Sequence, residues 1–348
     1  MTSKNTSKGA VVRNHILSIF EKYNKLSFKE ICKQTENLGL KESTIRKHVN
    51  ILIRQGNLSL SQKIGNKNYY SIPFEFTKSF VFHPKKNFIS EDLVWREYIR
   101  NCLVHYSKNS LEILDIVFSE IFNNALSHSD ADEISVTLNI SVIKTILIIK
   151  DNGIGIFNKI QQAFNLSDKH QALLELSKGK MTSAPKEHSG EGIFWSSKAC
   201  DAFLIISSGL AYNHGLYNED YLQEISSCEN NVGTTVVMMV KNNTTKTMRQ
   251  VYDKYSSPDE GLFKTIVPVK LLRYKDEGIV SRSQAKRLLA RFNEFRSIIL
   301  DFEGIDEIGQ AFADEIFRVF KMNHPEIKVK EINAVKSVKN MIKRVSVG

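Results

Sequence analysis

Cysteine is scarce and scattered along this chain of 348 residues. The four cysteines, Cys32, Cys102, Cys200 and Cys228, include no C-x-x-C pair, which argues against both a zinc site and a disulfide framework. No stretch approaches the ~20 consecutive apolar residues of a membrane-spanning helix, and the polar first residues lack the apolar core of a signal peptide. We therefore expect a cytoplasmic protein whose cysteines are reduced and structural.

Internal repeats and low-complexity tracts are also lacking, and polar junctions near Ser71 to Ser90 and Asn242 to Gly261 divide the chain. The apolar (42%) and charged (25%) fractions are ordinary for globular proteins, which indicates a chain folded throughout. The length suits two or three domains. We expect a multidomain α/β protein with domains at residues 1–78, 88–245 and 260–348.

Acidic residues are rare at the start of the chain. Residues 1–80 contain 14 Lys and Arg, 5 Glu and no Asp, so this segment supplies +9 of the net charge of +10. Apolar spacing predicts three helices, at Val11–Tyr23, Phe28–Thr35 and Lys41–Gln55. Either Ser43 or Thr44 is suited to start the third helix. Alternating residues on both sides of Gly65-Asn66 predict a β-hairpin.

The outward face of the third helix and the tip of the hairpin carry groups suited to DNA. These residues are Lys41, Ser43, Thr44, Arg46, Lys47 and Asn50 on the helix, and Lys63 and Lys67 near the tip. Such side chains donate hydrogen bonds to phosphates and to base edges in a major groove. The stretch Ser43–Leu52 resembles the recognition helix of winged helix-turn-helix regulators, which implies DNA binding. Two alternatives stay open, a protein-interaction module and a solvated basic face.

The centre of the chain contains three short motifs in fixed order. They are Glu120-Ile121-Phe122-Asn123-Asn124-Ala125, Asp151-Asn152-Gly153-Ile154-Gly155-Ile156 and Gly190-Glu191-Gly192-Ile193-Phe194. Apolar residues with helical spacing place Glu120 and Asn124 on one face of a predicted helix. The run Thr145–Ile149 predicts a buried strand, so Asp151 lies at the end of that strand.

Each motif offers groups suited to one part of a nucleotide. An Asn oxygen, here that of Asn124, is a suitable ligand for Mg²⁺, and Glu120 can orient or deprotonate a water or hydroxyl. The carboxylate of Asp151 can accept from an exocyclic amine such as that of adenine, and the two glycines after it let the backbone approach the base. Amides at the start of a predicted helix, Ile193–Cys200, suit a polyphosphate.

These motifs resemble the GHKL ATPase superfamily, which includes gyrase-type topoisomerases, heat-shock chaperones, sensor histidine kinases and anti-sigma-factor serine kinases. The resemblance spans roughly residues 91–241, and no Walker sequence G-x-x-x-x-G-K-[ST] occurs. It implies an α/β sandwich that binds ATP and Mg²⁺, with Glu120 as the catalytic group. The implied nucleotide contacts are Asn124, which also binds Mg²⁺, Asp151, Gly153, Gly155, Ile156, Gly190, Gly192, Ile193 and Thr234. Alone, Asp151–Gly153 is also compatible with a simple hairpin turn.

The segment Ser177–His188 is polar and basic, and we expect it to form a mobile lid over the phosphates. Lys180 or Lys186 then contacts the β- or γ-phosphate as a compact cation. The alternative is a solvated loop with incidental lysines. We interpret His128 as a helix-end residue rather than as a catalytic acid.

The C-terminal segment alternates predicted strands and helices. They lie at Thr265–Leu272, Ser283–Phe292, Ser297–Phe302, Gly309–Phe320, Ile327–Ile332 and Val335–Val345. The stretch Ile298–Ala313 resembles the strand-loop-helix signature of STAS domains, the anti-sigma-antagonist fold. Where phosphorylatable STAS domains carry a serine, this chain has Gly309-Gln310-Ala311, which offers no hydroxyl. The segment is therefore more similar to a STAS-like domain of unknown function that is fused to GHKL ATPases, and we interpret it as an interaction platform.

Three functions stay open from the sequence. The first is a bacterial transcription regulator that binds ATP and DNA and changes its domain arrangement with nucleotide. The second is an anti-sigma-type serine kinase acting on a separate STAS partner, and the third is a nucleic-acid-sensing defence or stress ATPase. A homodimer is expected from the GHKL relatives and from palindromic DNA sites. A sensor histidine kinase is disfavoured, because His105, the nearest candidate acceptor before Glu120, lacks a long heptad helix.

Overall fold

The structure is a computed structural model that describes residues 8–104, 106–181, 190–215, 221–225, 233–257, 261–273 and 277–346. Within these ranges the chain is a mixed α/β protein whose strands form four sheets. No helix in the described ranges combines the length and the apolar character needed to cross a membrane.

The N-terminal segment packs three helices against a small antiparallel sheet. Its elements are α1 (Lys8–Lys22), β1 (Leu26–Ser27), α2 (Phe28–Gln34), α3 (Glu42–Arg54), β2 (Ser59–Ile64) and β3 (Lys67–Ser71), with sheet order β1-β3-β2. A separate core forms where the apolar faces of the helices meet, and Ile16, Phe20, Ile45 and Val49 are almost fully buried there. The predicted three helices and hairpin are confirmed to within a few residues at their ends.

The predicted helix start at Lys41 lies within one residue of the observed start, but neither Ser43 nor Thr44 is the capping residue of α3. Lys41 occupies the N-cap position, and no side chain accepts a hydrogen bond there. Ser43 and Thr44 lie inside the first turn instead. The acidic residue Glu42 begins the helix, where its charge is favourable beside the positive end of the helix dipole.

The central segment is built on a seven-stranded antiparallel sheet with order β4-β5-β6-β10-β7-β8-β9. Its strands are β4 (Phe76–Phe82), β5 (Ile134–Ile140), β6 (Lys144–Asp151), β7 (Ala202–Ser207), β8 (Leu210–His214), β9 (Tyr221–Glu224) and β10 (Thr234–Lys241). Its helices are α4 (Glu91–Val94), α5 (Lys108–His128), α6 (Ile156–Ala163), α7 (Lys169–Lys178), α8 (Gly192–Ala199) and α9 (Met248–Tyr255). Alternate residues of β5, β6 and β10 are buried, and α5 covers them with Phe118 and Phe122, both fully buried.

Two elements lie where the sequence indicates polar junctions. Strand β4 pairs with β5 at one edge of the central sheet, and five of its seven residues are exposed, which explains why it lacks a clear strand pattern. Helix α9 buries Met248, Val251 and Tyr255 in the core, although most of its other residues are polar.

The C-terminal segment is a parallel sheet with helical crossovers. Its elements are β11 (Ser256–Ser257), β12 (Gly261–Leu262), β13 (Lys264–Pro268), α10 (Arg282–Leu289), β14 (Ser297–Asp301), α11 (Gln310–Asp314), α12 (Lys321–Asn323), β15 (Lys328–Ile332) and α13 (Lys336–Ser346). The parallel sheet has order β13-β14-β15. The predicted alternation is confirmed, except that the first strand ends at Pro268 and continues as a 3₁₀ turn, Val269–Leu272.

The core of the central segment continues into the C-terminal segment, whereas the N-terminal core is separate. Polar contacts join the N-terminal segment to the central sheet. Lys241 Nζ lies 2.6 Å from Glu21 Oε2, and Lys144 Nζ donates to Asn24 Oδ1 at 3.1 Å. Lys144 begins β6 and Lys241 ends β10, so the N-terminal segment contacts one end of these two strands.

Candidate functional site

A cavity of about 350 Å³ opens at the opposite end of β6 and β10, between α5, α6 and α8. Most of the residues predicted for the nucleotide site line it, namely Glu120, Asn124, Asp151, Gly155, Ile156, Gly190, Gly192, Ile193 and Thr234. These residues come from three motifs and one later strand that are far apart in sequence. The antiparallel pairing of β6 with β10 and the packing of α5 on the sheet bring them together.

Asp151 forms one end of the cavity. Its side chain is only 5% exposed, and Oδ1 accepts hydrogen bonds from the Gly153 amide at 2.9 Å and the Thr234 amide at 3.2 Å. Burial raises the pKa of Asp151, although these backbone hydrogen bonds oppose that shift. The carboxyl group is therefore fixed in orientation and poorly hydrated, which suits it to bind one polar ligand group rather than water.

Glycines allow the backbone to close tightly around Asp151. Gly233 has φ +93°, and a Cβ there would lie 2.0 Å from the Asp151 carbonyl oxygen. Next to it, Thr234 Oγ1 accepts from the Ile156 amide at 2.9 Å and so fixes the start of α6. Gly153 does not line the cavity; a Cβ at this position would lie 2.0 Å from the Ser129 carbonyl oxygen.

Glu120 and Asn124 form the other part of the site, one turn apart on α5. A Cβ at Gly192 would lie 2.0 Å from Glu120 Oε2, so the carboxylate contacts the first residue of α8. At the N-cap of α8, Glu191 Oε2 accepts from Trp195 Nε1 at 3.1 Å. The Glu120 carboxylate thus lies beside the positive end of α8.

Met181 and Gly190 complete the wall beside α8. The Met181 amide donates to the Gly190 carbonyl oxygen at 3.0 Å, and both residues line the cavity. Residues 182–189 lie outside the described ranges, and so does most of the expected lid, including Lys186.

The structure corrects the expectation for the first part of that lid. Ser177 and Lys178 belong to α7 and are buried rather than forming a polar loop. Lys180 does not line the cavity; its Nζ donates to the Glu294 carbonyl oxygen at 2.9 Å and lies 5.2 Å from the centroid of the Phe295 ring. This ammonium group is bound by an acceptor and an aromatic face that both belong to the C-terminal segment. The sequence around Lys180 contains neither group.

Four polar residues that line the cavity were not predicted for this role, namely Asn123, His128, Ser129 and Lys159. Lys159 Nζ donates to the His128 carbonyl oxygen at 2.5 Å, and both residues line the cavity. His128 is the last residue of α5, as interpreted from the sequence. A sequence signal for Lys159 exists. It lies in the first turn of the helix that follows the second motif, and this helix carries Ile156 and Ile160 on one face.

The residues predicted to contact DNA lie together on the N-terminal segment. Lys41, Ser43, Arg46, Lys47 and Asn50 are exposed, Thr44 is half-buried, and Lys63 and Lys67 are exposed beside the hairpin turn. The guanidinium of Arg46 lies 3.8 Å from the centroid of the Phe28 ring, a stacking arrangement that orients it. The sequence thus places exposed polar and basic side chains on both α3 and the hairpin.

The described residues contain no group of three or more His, Cys, Asp and Glu side chains that could hold a metal ion. Cys32, Cys102 and Cys200 are free thiols, and burial raises the pKa of Cys200 far above its usual range. A cation at the central cavity would therefore take most of its ligands from a bound substrate or water, as Mg²⁺ commonly does.

Comparison with known proteins identifies the C-terminal part of the chain. Residues 284–339 match the family model of a STAS-like domain of unknown function (DUF4325). The match begins within α10 and covers β14, α11, α12, β15 and the start of α13, so this part of the C-terminal segment is a STAS-like domain. No curated protein matches the chain.

Proposed function

We propose that the protein is an ATP-responsive DNA-binding regulator with a GHKL-type nucleotide site. The observation that carries this proposal is the single cavity lined by Asp151 at one end and by Glu120 and Asn124 at the other. If the motifs were only simple turns or solvated helix faces, their residues would have no reason to line the same cavity. A fixed carboxylate, a helix N-terminus and hard oxygen ligands in one cavity are together suited to a nucleoside triphosphate.

In this proposal adenine lies at the Asp151 end. Its exocyclic amine donates to the carboxylate, while the apolar side chains of Ile156 and Val236 pack against the ring. The phosphates extend toward the amides at the start of α8, where Gly192 leaves room beside Glu120. Bound Mg²⁺ would offset phosphate charge, and the Asn124 side-chain oxygen would be its protein ligand.

Glu120 is placed to accept a proton from a nucleophile. If the nucleophile is water, a bond forms from its oxygen to the γ-phosphorus, the bond to ADP breaks, and Glu120 takes the proton. If the nucleophile is the hydroxyl of a protein serine, the same events give a phosphoprotein. The chemistry of the cavity is the same in both cases, and only the acceptor differs.

The N-terminal segment would supply DNA binding through α3 and the hairpin. The exposed basic side chains there coincide with the segment that holds +9 of the chain's net charge. Its contacts with Lys144 and Lys241 lie on β6 and β10, the two strands that end at the nucleotide cavity. Nucleotide-dependent changes in these strands would reach the N-terminal segment through these contacts.

The experiment that tests this function is a DNA-binding titration with and without Mg-ATP. We expect ATP to change the affinity of the wild type for a mixed-sequence duplex by about 5- to 150-fold, a usual range for coupled sites. The Asp151→Asn variant should bind DNA with one affinity under both conditions. Equal DNA affinity of the wild type with and without ATP would contradict the proposal.

The presence of a STAS-like domain favours a serine kinase of the anti-sigma type as second candidate. Gly309-Gln310-Ala311 lies where a phosphorylatable serine would stand, so the acceptor would belong to a separate protein. Incubation with terminally labelled ATP separates the candidates. Labelled partner protein supports the kinase, free phosphate supports an ATPase switch, and phosphate release stimulated by DNA supports a nucleic-acid-sensing ATPase.

A further inference from the structure

Arg291 of the STAS-like domain contacts the backbone that leads into the nucleotide cavity. It lies between α10 and β14 with φ +60°, a conformation that non-glycine residues seldom adopt. Its guanidinium donates to the Gly179 carbonyl oxygen at 3.2 Å and also to that of Lys180. Two carboxylates fix its orientation, Glu294 at 2.7 Å and Glu175 at 3.5 Å.

A buried ion pair within α7 contacts the C-terminal segment near Arg291. Lys178 and Glu175 side chains are 0% and 1% exposed, and Lys178 Nζ lies 2.6 Å from Glu175 Oε1. Lys178 Nζ also donates to the Ala290 carbonyl oxygen at 2.8 Å, and Thr265 Oγ1 donates to the Lys178 carbonyl oxygen at 2.9 Å. The ion pair itself adds little net stability. The two hydrogen bonds from Lys178 Nζ and Thr265 Oγ1 are the contacts that join the end of α7 to the C-terminal segment.

The chain passes from this attachment to the cavity within a few residues. Gly179 has φ +88°, and a Cβ there would lie 2.9 Å from Leu262 Cδ2, so the turn has no room to shift toward β12. Met181 follows and binds Gly190 through its amide. Met181 and Gly190 form the cavity wall next to the start of α8.

We propose that Arg291 is a positioning residue for the phosphate end of the nucleotide site, supplied by the STAS-like domain. This inference rests on the proposed ATP site and assigns its regulation. By holding the carbonyl groups of Gly179 and Lys180, Arg291 fixes Met181 and the cavity wall beside α8. A partner that moves the loop containing Arg291 would then change ATP affinity, and ATP would change affinity for that partner by the same factor.

The test is calorimetric titration of full-length protein with Mg-ATP and with AMP. Arg291→Ala should raise the Kd for ATP roughly tenfold and that for AMP by less than about twofold, since AMP is bound mainly at the Asp151 end. Arg291→Lys, which keeps one charged donor, should recover part of the ATP affinity. Arg318→Ala is the matched control, because Arg318 pairs with Asp314 at 2.7 Å within the same domain and contacts neither Gly179 nor Lys180.

Each outcome has a defined meaning. The inference is wrong if Arg291→Ala binds ATP like the wild type, or if ATP and AMP affinities fall equally, which would indicate general loosening. Should Arg291→Ala not fold, amide hydrogen exchange on the wild type decides. ATP should then slow exchange at residues 291–294, and unchanged exchange there would overturn the inference. A wild type that binds neither nucleotide would remove the proposed function, and the inference with it.

Discussion

At the scale of single residues, Asp151 shows a conflict between stability and binding. Its carboxyl group is buried, and burial raises its pKa above the ordinary value of 3.8. The folded chain therefore binds a proton more tightly than the unfolded chain, and the ionised group costs free energy of folding at neutral pH. Such costs are common at sites that bind ligands.

We predict that Asp151→Asn raises the free energy of unfolding of the nucleotide-free protein by about 0.5–1 kcal/mol at pH 7. Asn keeps an acceptor for the Gly153 and Thr234 amides but carries no charge. The difference in the free energy of unfolding between the variant and the wild type should grow as pH rises from 3.8 through the raised pKa of Asp151 and stay constant above it. Denaturant unfolding at several pH values measures this, and an Asn variant less stable than the wild type at pH 7 would refute it.

Glu120 gives the second prediction at this scale. Glu120→Ala should retain ATP binding and lower any ATP turnover by about 10²- to 10⁴-fold, because the proton acceptor is lost. Glu112→Ala is a suitable control, since Glu112 lies two turns earlier on α5 and does not line the cavity. Assays of labelled phosphate release by both variants test this prediction. Full turnover by Glu120→Ala would show that Glu120 has no catalytic role.

At the scale of secondary-structure elements, α3 buries Ile45, Val49 and Leu52 in the N-terminal core and carries most of the residues proposed to bind DNA. Changing Arg46 and Lys47 to Ala should lower DNA affinity and reduce the log-log salt slope by ~0.9 for each lost phosphate contact. Arg46→Ala should also destabilise the N-terminal segment by about 0.5–1 kcal/mol, because its stacking on Phe28 is lost.

A matched variant separates these effects from simple loss of charge. Lys8 and Lys22 lie exposed at the two ends of α1, so changing both to Ala removes the same charge from another helix. This control should change the salt slope much less. If both double variants bind DNA equally, the binding surface does not lie on α3.

Elements with strong periodicity could be predicted from the sequence, and those that depend on distant partners could not. Apolar spacing indicates α3 and α5, and a run of β-branched residues indicates β6. The edge strand β4 and the mostly polar helix α9 have no such pattern. Lys180 contacts Glu294 and Phe295, which are more than a hundred positions away, so no local sequence signal reveals its orientation.

The candidate site follows the same rule. Motif residues such as Asp151 and Gly192 converge because each lies at the end of a regular element. By contrast, Lys159 lines the cavity beside the end of α5, where it donates to the His128 carbonyl oxygen, and Arg291 contacts Gly179 because the central and C-terminal segments share a core. Tertiary contacts of this kind depend on the whole fold.

At the scale of the whole molecule, the basic surplus is not confined to the first 80 residues. Residues 321–348 hold seven Lys and Arg and two Glu, a net charge of +5. This surplus does not show in the net charge of the whole chain, because residues 81–320 hold more acidic than basic residues. The N-terminal segment, which carries the proposed DNA-binding residues, and the central cavity lie at opposite ends of β6 and β10. The proposed regulation would therefore require energetic coupling across the central sheet.

Coupling between two binding sites must be reciprocal. We predict that saturating DNA changes the Kd for Mg-ATP by the same factor by which saturating ATP changes the Kd for DNA. A hydrolysis-deficient Glu120→Ala protein keeps both measurements at equilibrium. Factors that differ beyond experimental error would show that the two effects arise from different processes.

We propose above all that the cavity between Asp151 and Glu120 binds ATP. Calorimetric titration with Mg-ATP, of the wild type and of Asp151→Asn with matching circular dichroism spectra, tests it most directly. We expect the wild type to bind Mg-ATP saturably at one site per chain and the Asp151→Asn variant to show no measurable binding. Absence of binding by the wild type, or equal affinity of the two proteins, would contradict it.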